Sequence, residues 1–498
     1  VLIESALADL PADLRWLYES GAVTLEELAA AHRALTMTSA ADLAAAVGSQ
    51  SLRTVPGLDA ATEARVAAAL PALRSSIPRV PLGRAVAVTE PLLAILRATP
   101  GVAWATPGGS LRRGQDTVGD IELIAASSDP AAAITSILEG ADAARCLHRG
   151  TRRVYIRTER LQVGVRLPDP SVAAAELLFY TGSPRHLQAL QDLAAERGLQ
   201  LTASGLQTSA GHPLPIASED DIYGALDLPC IPPEIRNGDD ELAVARGGAL
   251  PELVSRKHIR GDLHMHSVWS DGRDSVEAMV RAGAALGYEY IAITDHSPNS
   301  AASRNLMIDD VRKQADEISA LRERYPTVEI LHGSEVDILE DGRLDFPDHV
   351  LVHFDIVLAS LHERAGQSPE QLMKRYLTAM SHPLVTMITH PTNRLVPNRA
   401  GYELDYDRLF DAAVETGTIL EVDGSPSHLD LDGALARRAV GAGVTLAIDS
   451  DCHRADLLER QMHLGIVTAR RGWVEPRHVL NTRPLSDVRA VIAAKRAR

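Results

Sequence analysis

His264 and His266 stand two apart, and Asp271 follows on the same stretch. His296, Glu335, His362, His390, Asp451 and His453 then arrive singly or in pairs along the second half of the chain. Imidazole nitrogens and carboxylate oxygens are the ligands of borderline divalent cations, each of which takes about four to six donors. Nine donors exceed what one ion can use and suit two or three. Clustered divalent ions acidify a shared water, so metal-activated water is the chemistry such donors could supply. A single histidine in a sequence is more often a packed or solvated side chain than a ligand. This many, in this placement, are not scattered.

The placement is set by a repeating rhythm. Apolar runs end in polar or His-bearing tips and are separated by helical stretches: Asp262 to His266, Tyr290 to His296, Val328 to Glu335, Ile356 to His362, Val385 to His390, Ile419 to Asp423 and Leu446 to His453. Seven strands alternating with helices predict a parallel β/α barrel, whose chemistry gathers at the C-terminal strand ends. His264 and His266, two apart on a strand, face the same side. Cys452, between two of the donors, is expected to point away from them and pack.

Composition narrows the rest. The chain has 498 residues, enough for about three domains. Hydrophobic residues make up 45% and charged residues 23%, which supports folded cores rather than disorder. No apolar run approaches the ~20 residues of a membrane span, and no secretory signal pattern opens the chain. Three separated cysteines exclude a disulfide framework and predict a cytoplasmic protein. The net charge of −16 offers no global attraction to nucleic acid, so DNA would be held by local arginine patches. All four lysines lie beyond position 250, which removes Schiff-base chemistry from the first half. Fourteen of the 18 histidines also lie there, so a two-part protein is expected, with its metal chemistry in the second part.

The motifs His264-x-His266-x4-Asp271, Thr294-Asp-His296, Gly333-Ser-Glu335, Ser360-Leu-His362, Thr389-His-Pro391 and Asp451-x-His453 resemble those of a polymerase-and-histidinol-phosphatase (PHP) domain over about 255–498. The resemblance implies a distorted seven-stranded barrel with all nine metal ligands present. It also implies Mn, Zn or Fe as the cations and phosphoester hydrolysis by a hydroxide held on them, the ions clamping the attacking and leaving oxygens. Arg394 and Arg399, just after His390, are candidate phosphate binders or, equally, solvated surface residues.

In the first half, Gly108-Gly-Ser-Leu-Arg-Arg-Gly114 and Gly119-Asp-Ile-Glu122 resemble the nucleotidyltransferase palm of family X DNA polymerases. Phe179-Tyr-Thr-Gly-Ser183, Glu219 to Tyr223 and Ile231 to Arg236 resemble the bacterial members' thumb and the approach to their PHP domain. The expected architecture is α/β and multidomain. It comprises a helical, degenerate helix-hairpin-helix-like region (1–78), a palm and thumb (79–245) and the PHP barrel (255–498). By resemblance, Ser110, Arg113, Thr181, Gly182 and Ser183 are candidate nucleotide contacts, and Asp120 with Glu122 a candidate Mg²⁺ site.

Three departures outweigh this match, the first two of them against DNA synthesis. The Asp-x-Asp pair reads Asp120-x-Glu122, one methylene longer at its second member. Gly164 stands where a third carboxylate is expected, and Asp169 lies at odd offset from it. By the resemblance, the family's lyase region is expected to lie before position 1, and the first half has no lysine, so lyase activity is not expected there. The turn Val55-Pro-Gly-Leu-Asp59 keeps one glycine of the Gly-x-Gly that presents backbone N–H groups to DNA. The expectation is a metal-dependent phosphoesterase acting on gapped or damaged DNA, as a 3′-to-5′ exonuclease or repair endonuclease. Gap-filling synthesis, phosphomonoester hydrolysis and non-catalytic DNA binding are the alternatives.

Overall fold

The computed structural model describes residues 12–498 except 36, 38–39, 77–78, 142–144, 159–160 and 363–365. The first eleven residues of the expected helical region therefore lie outside the described residues. The chain divides into two compact units: Val1–Val80 with Arg84–Leu250, and Pro81–Gly83 with Pro251–Arg498.

The first unit opens with helices Ala12–Glu19, Leu25–Leu35, Ala40–Gly48 and Ala60–Ser76. Leu17, Leu43, Leu52 and Val66 form the centre of their shared apolar cluster. Gly57 takes a φ of 89° in the turn between them, and Leu58 N–H closes that turn on Val55 O at 2.9 Å. A five-stranded sheet follows, from β1 (Val102–Pro107), β2 (Ile121–Ser127), β3 (Arg145–Arg149), β4 (Arg153–Thr158) and β5 (Leu161–Arg166), in the order β1-β2-β5-β4-β3. Only β2 and β5 run parallel, in a register that sets Glu122 beside Gly164. Helices Ala173–Phe179, Pro184–Glu196 and Glu219–Ala225 complete the unit.

The second unit is a nearly closed parallel barrel of seven strands in sequential order: β6 (Gly261–Asp262), β7 (Tyr290–Ile293), β8 (Glu329–Asp337), β9 (Ile356–Ser360), β10 (Met387–Ile388), β11 (Ile419–Asp423) and β12 (Leu446–Asp449). The period-2 rule sorts its residues. Tyr290, Ala292, Leu331, Ile356, Leu358, Met387, Ile419 and Ala447 form one cluster with Val488 and Ile492 of the last helix, Leu485–Arg496. Their neighbours Ile291, Ile330, Val357, Ile388, Leu420 and Ile448 join the larger cluster under the surrounding helices. The helices start where side chains can replace missing backbone partners: Ser275, Ser368, Asp405 and Asp432 each accept an N–H of the first turn.

No continuous ladder joins β6 to β12, and side chains bridge that seam instead. Asp449 Oδ1 accepts from Leu263 N–H at 2.7 Å, Asp262 Oδ1 accepts from Ser450 N–H at 3.2 Å, and Asn481 Nδ2 donates to Gly261 O and Ile448 O. Both aspartates are fully buried, and burial pushes Asp262 up to about 6. Gly333 is required by packing: a Cβ there would come within 2.8 Å of Ile356.

Candidate metal centre

The nine donors named from the sequence gather at the C-terminal mouth of the barrel. Glu335, at 1% exposure, is central to them. Its Oε2 lies 3.3 Å from His264 Nε2, 3.5 Å from His266 Nε2 and 2.9 Å from His296 Nδ1. Its Oε1 lies 2.8 Å from His390 Nε2 and 3.4 Å from His362 Nε2. His264 and His266 bring their Nε2 atoms to 3.1 Å of each other, and Asp451 Oδ1 lies 3.1 Å from His266 Nε2. Asp271 Oδ1 sits 3.2 Å from His453 Nε2 and 3.6 Å from His296 Nε2. His266, Asp271, His296 and His453 form one group whose ligand atoms all lie within 4.8 Å of one another, as do His264, His266 and Asp451, and His296, Glu335 and His362.

The donors fit cations. His296 Nδ1 is buried and 2.9 Å from Glu335 Oε2, yet makes no hydrogen bond, as expected for two lone pairs aimed at a common point. His266 is lowered to about 4 by burial and by the adjacent His296 and His453, so its imidazole is neutral and ready to ligate. Burial raises Asp271, but the imidazoles of His453 and His296 outweigh it and hold the carboxyl at about 2. Burial opposes ionisation of Glu335 as well, and the surrounding histidines still hold it well below the carboxylate range.

Backbone geometry re-aims two of the donors. His390 has φ +27° and Asp451 φ +48°, conformations that L-residues seldom adopt. The first breaks strand alternation, so that consecutive Thr389 and His390 both reach Glu335 Oε1, at 3.1 and 2.8 Å. Cys452, between two donors, is fully buried in the apolar cluster with its thiol on Arg454 O, as expected.

Sequence reasoning missed the residues that orient these donors. Glu421 Oε1 accepts from His264 Nδ1 at 2.7 Å while its Oε2 accepts from His390 N–H at 2.7 Å. Asp337 Oδ1 accepts from His362 Nδ1 at 2.7 Å. Such partners select the tautomer and hold the ring. The signal was strand parity: Glu421 and Asp423 share a face with Ile419, and Asp337 shares one with Glu335. Asp423, His428 and Asp451 form a further close group, also unforeseen. Burial, with Asp451 and Glu421 nearby, pushes Asp423 well above the ordinary range.

The two arginines proposed for phosphate turn to protein atoms. Arg394 donates to His428 O at 2.9 Å and to Leu429 O, and Arg399 donates to Asn393 O and Oδ1 at 2.7 Å. As placed, both brace the loops at the barrel mouth.

In the first unit, a cavity of about 530 Å³ is lined by Arg79, Ser110, Arg113, Asp120, Glu122 and Gly182, among others. Thr181 is buried and accepts from Arg112, while its carbonyl accepts from Arg113 at 2.5 Å. Ser183 caps helix Pro184–Glu196. Asp120 is exposed in the bend before β2. Glu122 is buried and folds over Gly164, where an added Cβ would meet both carboxylate oxygens at 2.6 Å. Those oxygens accept from Tyr155 Oη and Arg166 Nε, each at 3.1 Å, and Arg166 also pairs with Asp42 at 2.7 Å. Burial outweighs Arg166 and raises Glu122 to about 7. A carboxylate balanced by a guanidinium, with glycine opposite, does not fit the carboxylate set that a pair of Mg²⁺ ions needs.

Residues 176–237 match the DNA polymerase beta thumb, and residues 262–423 match the PHP domain. The chain is 34% identical over 494 residues, 98% of its length and 86% of the relative's, to the DNA polymerase/3′-5′ exonuclease PolX of Bacillus subtilis (strain 168). It is 30% identical over 203 residues, 39% of this chain and 75% of the relative, to a probable phosphatase of Caldanaerobacter subterraneus subsp. tengcongensis. It is 32% identical over 169 residues, 33% of this chain and 65% of the relative, to a probable phosphatase of Syntrophotalea carbinolica. None of the described helices is long and apolar enough to cross a membrane. The thumb marks a DNA-binding protein, and the barrel is that of a metal-dependent phosphoester hydrolase. This chain belongs to the family X DNA polymerases that carry a PHP domain.

Proposed function

We propose that the barrel hydrolyses phosphodiester bonds of DNA, as a 3′-to-5′ exonuclease or at damaged sites during repair in the cytoplasm. We propose also that the palm no longer synthesises DNA. The observation that carries the first part is the convergence of nine donors, with Glu335 central among them. His264, His266, Asp271, His296, Glu335, His362, His390, Asp451 and His453 would hold two or three Mn, Zn or Fe ions. Bound there, such ions supply charge for the phosphate oxygens and acidify water at neutral pH.

The chain's own residues do the positioning. Glu421 and Asp337 fix the rings of His264 and His362, so that each directs Nε2 inward. Glu335 links both halves of the cluster through its two oxygens. Water adds to phosphorus as the 3′-side P–O bond breaks, releasing a nucleoside 5′-monophosphate and a new 3′-hydroxyl.

The second part rests on the Glu122–Arg166 pair and on Gly164, where a third carboxylate is expected and the Glu122 carboxylate lies instead. The cavity lined by Ser110, Arg113 and Gly182 remains open to a nucleotide or a DNA end.

The test is digestion of 3′-labelled and gapped oligonucleotides with Mn²⁺. Wild type cleaves and His266→Ala does not; a metal-loaded wild type that leaves DNA intact overturns the reading. The similarity to probable phosphatases favours one second reading, hydrolysis of a small phosphomonoester. Faster turnover of nucleoside monophosphates than of oligonucleotides would establish it.

A further inference from the structure

Six of the seven barrel strands lead into the nine donors; β11 supplies none of them. Yet β11 ends in Asp423, whose side chain is fully buried. Its Oδ1 accepts from Ser425 N–H at 2.5 Å, and its Oδ2 is buried with no hydrogen-bond partner among the described residues. A buried carboxylate oxygen without a donor is costly, and a native fold keeps one for a reason.

The loop after β11 turns back over it. Asp423 N–H donates to Asp430 O at 2.6 Å, His428 N–H donates to Ser425 O at 2.9 Å, and Leu429 adopts φ +49°. Arg394 clamps this loop through the carbonyls of His428 and Leu429. The result stacks the His428 ring on His390, with centroids 5.0 Å apart and planes at 21°. His428 Nδ1 is also buried and without a partner among the described residues. One ligand atom each from Asp423, His428 and Asp451 lies within 4.8 Å of the other two.

We infer that Asp423, His428 and Asp451 form an additional divalent-cation site at the edge of the nine-donor cluster, sharing Asp451 with it. The site takes a borderline ion of the Mn²⁺ or Zn²⁺ class, since it pairs one imidazole with two carboxylates. A carboxylate has two oxygens and can bridge two cations. Asp451 Oδ1 already faces His266 and His264. With three protein donors against four in the group of His266, Asp271, His296 and His453, the added site is the weaker and more exchangeable.

The inference rests on reading the barrel as a metal centre, and one experiment separates the two. Full-length protein is stripped with chelator and equilibrated at graded free Mn²⁺, and bound metal per chain is measured by mass spectrometry. Wild type is expected to take up its ions in a tight and a weak phase, the weak phase adding about one equivalent. Asp423→Asn and His428→Gln keep the tight phase and lose the weak one. Superimposable curves for all three proteins overturn the inference and leave the metal centre standing. Loss of the tight phase in both variants overturns the assignment of a separate site. A wild type that takes up no Mn²⁺ overturns both readings together.

Discussion

Glu421→Gln is the sharpest probe of how the barrel holds its donors. The wild-type carboxylate, fully buried, accepts from His264 Nδ1–H through one oxygen and from His390 N–H through the other, each at 2.7 Å. One side chain thus fixes two donors that arrive on different strands. Glutamine keeps the shape but has one acceptor. If its oxygen serves His264, its NH₂ faces the His390 N–H, donor to donor, and a buried donor left unsatisfied costs about 1–3 kcal/mol. Loss of such an orienting partner typically weakens metal binding about 10–100-fold, or roughly 1.4–2.7 kcal/mol. Two independent routes therefore give the same size of effect. Competition against a coloured chelator at fixed pH measures it, with circular dichroism as the check that the barrel is intact. Affinity within about twofold of wild type would refute the reasoning, because Glu421 would then be a packed acid with no hold on the cluster.

Other outcomes follow from the same structure. Glu219 is buried between Arg112 and Arg236, each meeting both of its oxygens, and these partners overcome burial and hold it at about 2 against an ordinary 4.5. A lowered folded-state value means stability present above about pH 4.5 and lost as pH falls towards about 2, worth roughly 3 kcal/mol. Acid titration of unfolding should show that loss, and Glu219→Gln should abolish the dependence while destabilising the first unit by about 3–5 kcal/mol at neutral pH. Primer extension on gapped DNA should be absent in wild type; template-directed extension that disappears in Asp120→Ala would contradict the reading of the palm. Chelation should lower the unfolding temperature of the barrel, since ions at about 1,000 times their dissociation constant add roughly 4 kcal/mol. An unchanged transition after verified metal removal would show that the cluster does not hold ions in the folded state.

Much of the site could be read from residue order. The barrel follows from seven apolar runs of strand length alternating with helical stretches, and the nine donors follow from the tips of those runs. Glu421 and Asp423 were within reach of the same parity argument, but nothing local separates an inward carboxylate that ligates from one that orients a ligand. His428 was out of reach, because a loop with a left-handed residue at Leu429 carries it back over β11. In the palm, Glu122 for aspartate and Gly164 for a carboxylate were visible departures. Their consequence was not visible, because the cation that answers Glu122 is Arg166, and Arg166 is shared with Asp42 from the helical region.

The sequence alone determined which chemical groups are present, in what order, and on which face of each strand they stand, since alternation is a local property of extended backbone. The tertiary structure decided which groups touch. Glu421 meets a histidine 157 residues away, and Glu335 gathers five imidazoles from four separate stretches. His390 and Asp451 turn inward only through positive φ angles that no periodic pattern encodes. Contacts of that kind depend on barrel closure and on buried charges finding counter-charges, which are properties of the packed chain rather than of any one segment.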